Sequence, residues 1–251
     1  VVALVAVSLL STRKLNRRFG GIVAVKDVDF SLEQGEIRGI IGPNGAGKTT
    51  FVNLLSGCFA SDSGQIVFQG VDITGQPAWK RARLGIAYTF QITSIYPGLT
   101  VFENVAIGAQ VRIRQSSKSK ASPDEKPGLE EIVDNCLRLT GLDRSRTRLA
   151  AELAYGHQRL LEIAVNLAVD PVLLILDEPT QGLSVDEIEE FTGLLKCIRS
   201  NRTLILIDHN LPFVMNLADR VTVMDQGGIL AENDPKGIQR DVRVKTAYLG
   251  E

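Results

Sequence analysis

The stretch Gly42-Pro43-Asn44-Gly45-Ala46-Gly47-Lys48-Thr49 fits the spacing GxxxxGK[ST]. A polyphosphate carries several negative charges that must be met without bulky side chains. Glycines let successive backbone N–H groups turn inward, and a helix beginning at the loop adds its positive N-terminal end. Lys48 is placed to reach the β and γ phosphates, and the Thr49 hydroxyl to ligate Mg²⁺. Asn44, Gly45, Ala46, Gly47 and Thr50 belong to the same cradle. The flanks agree with a strand–loop–helix unit. Glu36 to Ile41 (EIRGII) turns almost wholly apolar at its end, as a buried central strand does, and a helix is expected from about Gly47 to Ser56.

Such a loop needs a second carboxylate on a neighbouring strand to hold the metal. Leu173-Leu174-Ile175-Leu176-Asp177-Glu178 supplies it, with four apolar residues and then two acids where the strand ends. Asp177 is placed to orient Mg²⁺, usually through water. Glu178, one step further, can polarise a water for attack on the γ phosphate. Around this pair the pattern is regular: VLLIL (172–176), TLILI (203–207) and VTVM (221–224) are apolar strands separated by helices. That alternation predicts an α/β protein whose parallel sheet is covered on both faces. The opening to about Leu32 is β-rich, and QIVFQGVDI (65–73) reads as a short hairpin. The middle third reads helical, with a capping box in which Thr100 precedes Glu103 by three residues. RIRQSSKSKASPDEKPG (112–128) is polar and is expected to be a mobile surface connection.

The 251 residues include 28 Lys plus Arg against 29 Asp plus Glu, a net charge of −1, with 44% hydrophobic residues. This balance excludes a strongly basic nucleic-acid binder and a disordered chain. Cys58, Cys136 and Cys197 lie far apart without a CxxC pair, and His157 and His209 are the only histidines. Neither a disulfide framework nor a histidine-based metal site is expected, and a reducing compartment is the natural home. The apolar run Val1 to Leu10 stops at Ser11-Thr12-Arg13-Lys14, short of the roughly 20 residues that cross a bilayer. It lacks the basic leader of a signal peptide and is expected to form an N-terminal strand.

Between the two motifs lies Leu153-Ala154-Tyr155-Gly156-His157-Gln158-Arg159, just before a predicted helix. It resembles the LSGGQ signature of ATP-binding-cassette (ABC) ATPases. Gln91 matches that family's Q-loop, His209 in LIDHN its switch histidine, and Phe19 in RRFGG the aromatic that stacks on adenine. The motifs keep the family's order and cover nearly the whole chain. The resemblance implies a P-loop NTPase (RecA-like) core with a mainly parallel sheet, a small antiparallel β subdomain and an α-helical subdomain carrying the signature. Within one ABC ATPase domain over 9–251, it implies a β-rich lobe and P-loop core to about 91, a helical part to about 160, and the rest of the core beyond, after an apolar extension over 1–8.

The resemblance also implies a head-to-tail dimer. Each ATP then lies between one subunit's P-loop and the other's Ala154, Tyr155 and Gly156, where a helix N-terminus meets phosphate. Val25 is carried over with Phe19 as a nucleotide contact. Gln91 is carried over to the metal and to the link with the transport partner, and His209 to sensing the γ phosphate. ATP and Mg²⁺ are the implied cofactors. A second ATPase subunit, membrane-spanning permease subunits and, indirectly, a substrate-binding protein are the implied partners, with the chain peripheral on the cytoplasmic face of the membrane.

Two departures stand out. The signature serine is Ala154, and the usual aspartate after Asp177-Glu178-Pro179-Thr180 is Ser184, which with Glu187 predicts a capping box. His157 stands where the family has glutamine or glutamate and is expected to face solvent. Phe19-Gly20-Gly21, Thr89-Phe90-Gln91, Leu99 to Val105, Leu153 to Arg159 and Ala247 to Glu251 resemble the ATPases of branched-chain amino-acid importers. Urea importers share much of this, and the lipopolysaccharide-export ATPase shares DHN and YLGE. A nucleotide-gated module of low turnover, suggested by Ala154 and Ser184, is the alternative of another class. No NKxD motif supports a GTPase. Ile92 to Leu99 is apolar enough to form part of a groove for a partner's cytoplasmic helix.

Overall fold

Six strands form the central sheet of the computed structural model, which describes residues 8–89, 94–116 and 127–249. Their order is β10 (Gly228–Asn233), β9 (Arg220–Asp225), β3 (Ile37–Ile41), β8 (Thr203–Ile207), β7 (Leu173–Asp177) and β6 (Ile86–Thr89). All neighbours are parallel except the β10–β9 pair. β3, β7 and β8 are buried at every residue, which explains their mainly apolar sequences, and the charge of buried Arg38 in β3 is met by Glu36 and Glu232. A second, antiparallel sheet has the order β2 (Ile22–Glu33), β1 (Ser8–Phe19), β4 (Ser63–Phe68), β5 (Val71–Asp72). The predicted hairpin is the β4–β5 pair. Its turn residues Gln69 and Gly70 both have positive φ, as a tight two-residue connection demands.

The alternation of side chains divides the apolar core between the sheet's two faces. Leu174, Leu176, Leu204 and Leu206 pack with the helical side, which includes α3 (Val101–Ser116), α4 (Leu129–Leu139), α5 (Tyr155–Ala168), α6 (Val185–Ile198) and α7 (Leu211–Leu217). Leu173, Ile175, Ile205 and Ile207 pack with α1 (Lys48–Ser56) and the antiparallel sheet through Phe51, Leu55, Leu10 and Leu32. The capping box predicted at Thr100 is present: the Glu103 carboxylate accepts from the Thr100 N–H at 2.7 Å, and Thr100 Oγ1 from the Glu103 N–H at 3.2 Å.

One expectation needs correction. Residues 112–116 are not part of a surface connection but the last turn of α3. Ile113 packs against the core and Arg112 pairs with Asp170 at 3.0 Å, so this end has tertiary anchors that its polar composition concealed. Gly128 is the N-cap of α4. The stretch 117–126 lies outside the described residues, as do 1–7.

Arg81, in α2 (Ala78–Arg83), is buried against the far end of α1. It donates to the Leu54 and Leu55 carbonyls at 2.6 and 2.9 Å, and to those of Gln76 and Thr74 at 2.9 Å each. Leu54 and Leu55 are among the last carbonyls of α1, which lack helical partners. Arg81→Ala is expected to lower stability by about 3 kcal/mol or more, because several carbonyls lose their donor without regaining water. The urea midpoint of the two proteins at neutral pH measures it.

Candidate nucleotide site

Parallel pairing places three chain segments at one edge of the sheet. β8 lies between β3 and β7, with Ile207 level with Ile40 on one side and Asp177 on the other. The glycine loop after β3, the acids ending β7 and His209 after β8 therefore emerge together. Ligands of open α/β sheets bind at this carboxyl edge.

In the loop, Gly42, Gly45 and Gly47 all have positive φ. At Gly47 a Cβ would stand 2.2 Å from the Ala24 carbonyl, so the close approach of β2 excludes any side chain there. Gly47 is also the N-cap of α1, and no side chain caps that helix. Asn44 and Gly45 are exposed, Thr49 and Thr50 half-buried, and Ala46 buried. Lys48 curls back and donates to the Gly42 and Pro43 carbonyls at 2.7 and 3.0 Å. Burial lowers its pKa, and the nearby Glu178 and Asp177 charges oppose that shift. A compact cation inside a ring of backbone groups suits a phosphate chain.

Asp177 is fully buried. The Tyr88 hydroxyl, from neighbouring β6, donates to its Oδ2 at 2.9 Å, while Oδ1 has no hydrogen-bond partner among the described residues. Burial is the main cause that raises its carboxyl to about 6, helped by Glu178 and opposed by Tyr88 and Lys48. The residues fit a divalent cation: one Asp177 oxygen is held by Tyr88, and among the described residues the other is bare. Among the described residues no group of three or more His, Cys, Asp and Glu side chains could hold a metal.

The raised Asp177 pKa has a consequence for stability in metal-free solution. The protonated form is favoured in the folded state, so its contribution is full below about pH 4 and is lost as pH rises through about 6. Asp177→Asn is expected to be more stable than the parent at pH 8 by about 2 kcal/mol, and to lose that advantage by pH 4. Denaturant midpoints across this range, with chelator present, check it.

Glu178 adopts φ of 50°, uncommon for a residue with a Cβ, and its N–H donates to the Ile207 carbonyl at 2.7 Å. Its Oε1 lies 2.8 Å from His209 Nε2, with Glu178 largely buried and His209 more than half exposed. Asp208 joins the segments that carry these two groups. Its carboxylate accepts from the Thr180 hydroxyl at 2.7 Å and from the N–H groups of Thr180 and Asn210 at 3.0 and 2.8 Å. Asp208 and Tyr88 have structural roles here that motif reading did not anticipate.

The signature segment begins a helix as expected. Ala154 is the N-cap of α5 and no side chain caps it; Ala154 and Tyr155 are exposed. Gly156 is buried, and a Cβ there would stand 2.2 Å from Glu187 Oε1. Glu187 and Ser184 form the predicted capping box of α6, so serine at 184 starts this helix. His157 is exposed, in line with expectation. Further along α5, buried Arg159 pairs with Glu162 at 2.7 Å and also donates to the Glu178 carbonyl at 3.2 Å. The helix that carries the signature thus touches the backbone of the acid pair.

Phe19 is 40% exposed at the end of β1, with Phe59 edge-on at 5.5 Å and the Arg17 guanidinium 4.7 Å from its ring centre. Val25 is wholly buried. Gln91 lies outside the described residues, as do Ile92 and 93 of the expected groove. The rest of that loop is pinned by Asn104, whose side chain accepts from the Tyr96 N–H at 2.8 Å and donates to its carbonyl at 3.0 Å.

Residues 25–181 match the model of the ABC transporter family. The high-affinity branched-chain amino acid transport ATP-binding protein LivG of Escherichia coli (strain K12) is 38% identical over 250 residues, 97% of this chain and 98% of that protein. BraF of Pseudomonas aeruginosa, described in the same words, is 36% identical over the same shares. The crystal structure of the ADP conformation of an ATP-binding cassette of an ABC transporter superposes with a TM-score of 0.84. It is 30% identical and covers 97% of this chain and 99% of that one. The matched region starts in β2 and ends just beyond the acid pair, spanning loop, signature helix and carboxylates, and it makes this chain a member of the ABC transporter family, one of its ATP-binding ATPase proteins.

Proposed function

We propose that the chain powers an importer for branched-chain or other small amino acids, as one of two head-to-tail ATPase subunits beneath membrane-spanning permease subunits fed by a substrate-binding protein. The observation that carries the substrate class is the 38% identity to LivG along nearly the full length of both chains. Among the described residues no helix is long and apolar enough to cross a membrane, which suits a peripheral subunit docked on the cytoplasmic side of a permease. The division into parts at about residues 91 and 160 is proposed with it.

In this reading Lys48 and the uncapped N–H groups of α1 bind the β and γ phosphates, and Phe19 stacks on adenine with Val25 packed beneath. Thr49, Asp177 and Gln91 would hold Mg²⁺, which when bound neutralises phosphate charge and favours attack. Glu178 takes a proton from water as the water oxygen bonds to the γ phosphorus and the bond to the β–γ bridging oxygen breaks. His209, 2.8 Å from Glu178, fixes that carboxylate and faces the γ phosphate. Ala154 to Gly156 offer the N-terminus of α5 to the ATP of the other subunit. The test is ATPase activity in vesicles with the permease subunits and binding protein. Leucine-loaded binding protein is expected to stimulate turnover several-fold. Stimulation by urea instead would move the cargo to amides, and no stimulation by either would overturn the import reading.

A further inference from the structure

Tyr88 connects two parts of the site that are far apart in the chain. It lies on β6 level with Ile175 of β7, and its hydroxyl reaches along the sheet edge to Asp177 Oδ2 at 2.9 Å. The side chain of Asn53 on α1 lies close enough to influence the same hydroxyl. Asn53 in turn donates to the carbonyl of Thr49 at 2.8 Å. Tyr88 therefore ties β6 to the acid that ends β7, and Asn53, held on the Thr49 carbonyl, stands near its hydroxyl. Asp177 and the Thr49 hydroxyl are among the groups assigned above to Mg²⁺. The Tyr88 hydroxyl occupies Oδ2, and among the described residues Oδ1 has no hydrogen-bond partner.

We propose that Tyr88 is a positioning residue for the metal: its hydroxyl fixes the Asp177 carboxylate through Oδ2, so that Oδ1 is presented to Mg²⁺. A buried carboxylate without this donor would be free to turn and would lose the hydrogen bond that favours its ionised form. Groups that orient a metal ligand commonly alter metal affinity by about 10–100-fold when removed. The inference rests on the proposed assignment of Asp177 to the metal.

Two variants remove the hydroxyl while filling the same space, Tyr88→Phe and Tyr88→Met. The Tyr88 ring also forms part of the wall of a cavity of about 320 Å³ beside Trp79, Asn166 and Val169, so a side chain of similar bulk is needed. Trp79 is the chain's single tryptophan, and an unchanged emission spectrum shows that this wall is kept. The full chain is titrated with Mn²⁺ by electron paramagnetic resonance in the presence of a non-hydrolysable ATP analogue, and with ATP in chelator. Both variants are expected to bind Mn²⁺ about tenfold more weakly while binding metal-free ATP as the parent does. In an Asp177→Asn background, Tyr88→Phe is expected to add no further loss. Parent-like Mn²⁺ affinity in either variant would overturn the role of Tyr88, as would an equal loss of metal-free ATP affinity. If Asp177→Asn itself leaves Mn²⁺ affinity unchanged, the assignment of Asp177 fails instead.

Discussion

Glu178→Gln is expected to keep ATP affinity within about threefold of the parent while reducing turnover by about a thousandfold, the scale on which a positioned general base acts. The geometry accounts for both halves of this result. Glu178 is not part of the phosphate cradle, whose contacts come from the glycine loop and Lys48, so binding survives. Its backbone is fixed by the bond from its N–H to Ile207 and by Arg159 on its carbonyl, neither of which involves the altered atoms. Glutamine keeps the length of the side chain and can still accept from His209, but it cannot take a proton from water. ATP then remains at the site, and the variant should accumulate as an ATP-bound dimer in size-exclusion chromatography. Parent-rate hydrolysis would remove Glu178 from the role of base.

Lys48→Ala should raise the ATP dissociation constant by about a hundredfold, read by equilibrium binding of a labelled nucleotide. The Lys48 ammonium is held within the loop on the Gly42 and Pro43 carbonyls, and a charge-assisted hydrogen bond to phosphate is worth about 1.5–3 kcal/mol. Its removal has a second cost. Asp177 and Glu178 both lie close enough to influence Lys48, and without it their negative charge faces phosphate unopposed. The folded state should tolerate the change, because the ammonium's partners are the Gly42 and Pro43 carbonyls at a half-open loop. A dissociation constant equal to the parent's, in a protein with unchanged melting temperature, would sink the assignment of the loop.

The two substitutions divide the site into binding and chemistry, and the capping box at Ser184 bears on the second. Ser184 and Glu187 are committed to the start of α6, and Glu187 also lies against Gly156 of the signature. The departure from the usual aspartate therefore comes with an ordered connection between the acid pair and the signature helix. This physical continuity is what a cassette needs when the signature of one subunit closes on the nucleotide of the other.

Much of this architecture is legible in the sequence. Local chemistry wrote it: glycines at positions needing positive φ, unbroken apolar runs for doubly buried strands, and serine or threonine three residues before glutamate at helix starts. The error at 112–116 came from the same source. Polar composition identified a loop, while the helix persisted because Ile113 and Arg112 found partners on distant elements. Tyr88 illustrates the opposite limit. Its neighbours in sequence mark it as one more strand residue, and its partner Asp177 is 89 positions away.

The sequence alone marked the glycine loop, the two acids and the alternation of strands and helices, because each depends on residues adjacent in the chain, while His209 was marked only by the family resemblance. Only the tertiary structure decided that β8 lies between β3 and β7, bringing those motifs to one edge, and that Tyr88, Asp208 and Arg159 tie them together. Strand order and hydrogen bonds between strands are set by the packing of the whole apolar core, and no local stretch of the chain encodes them.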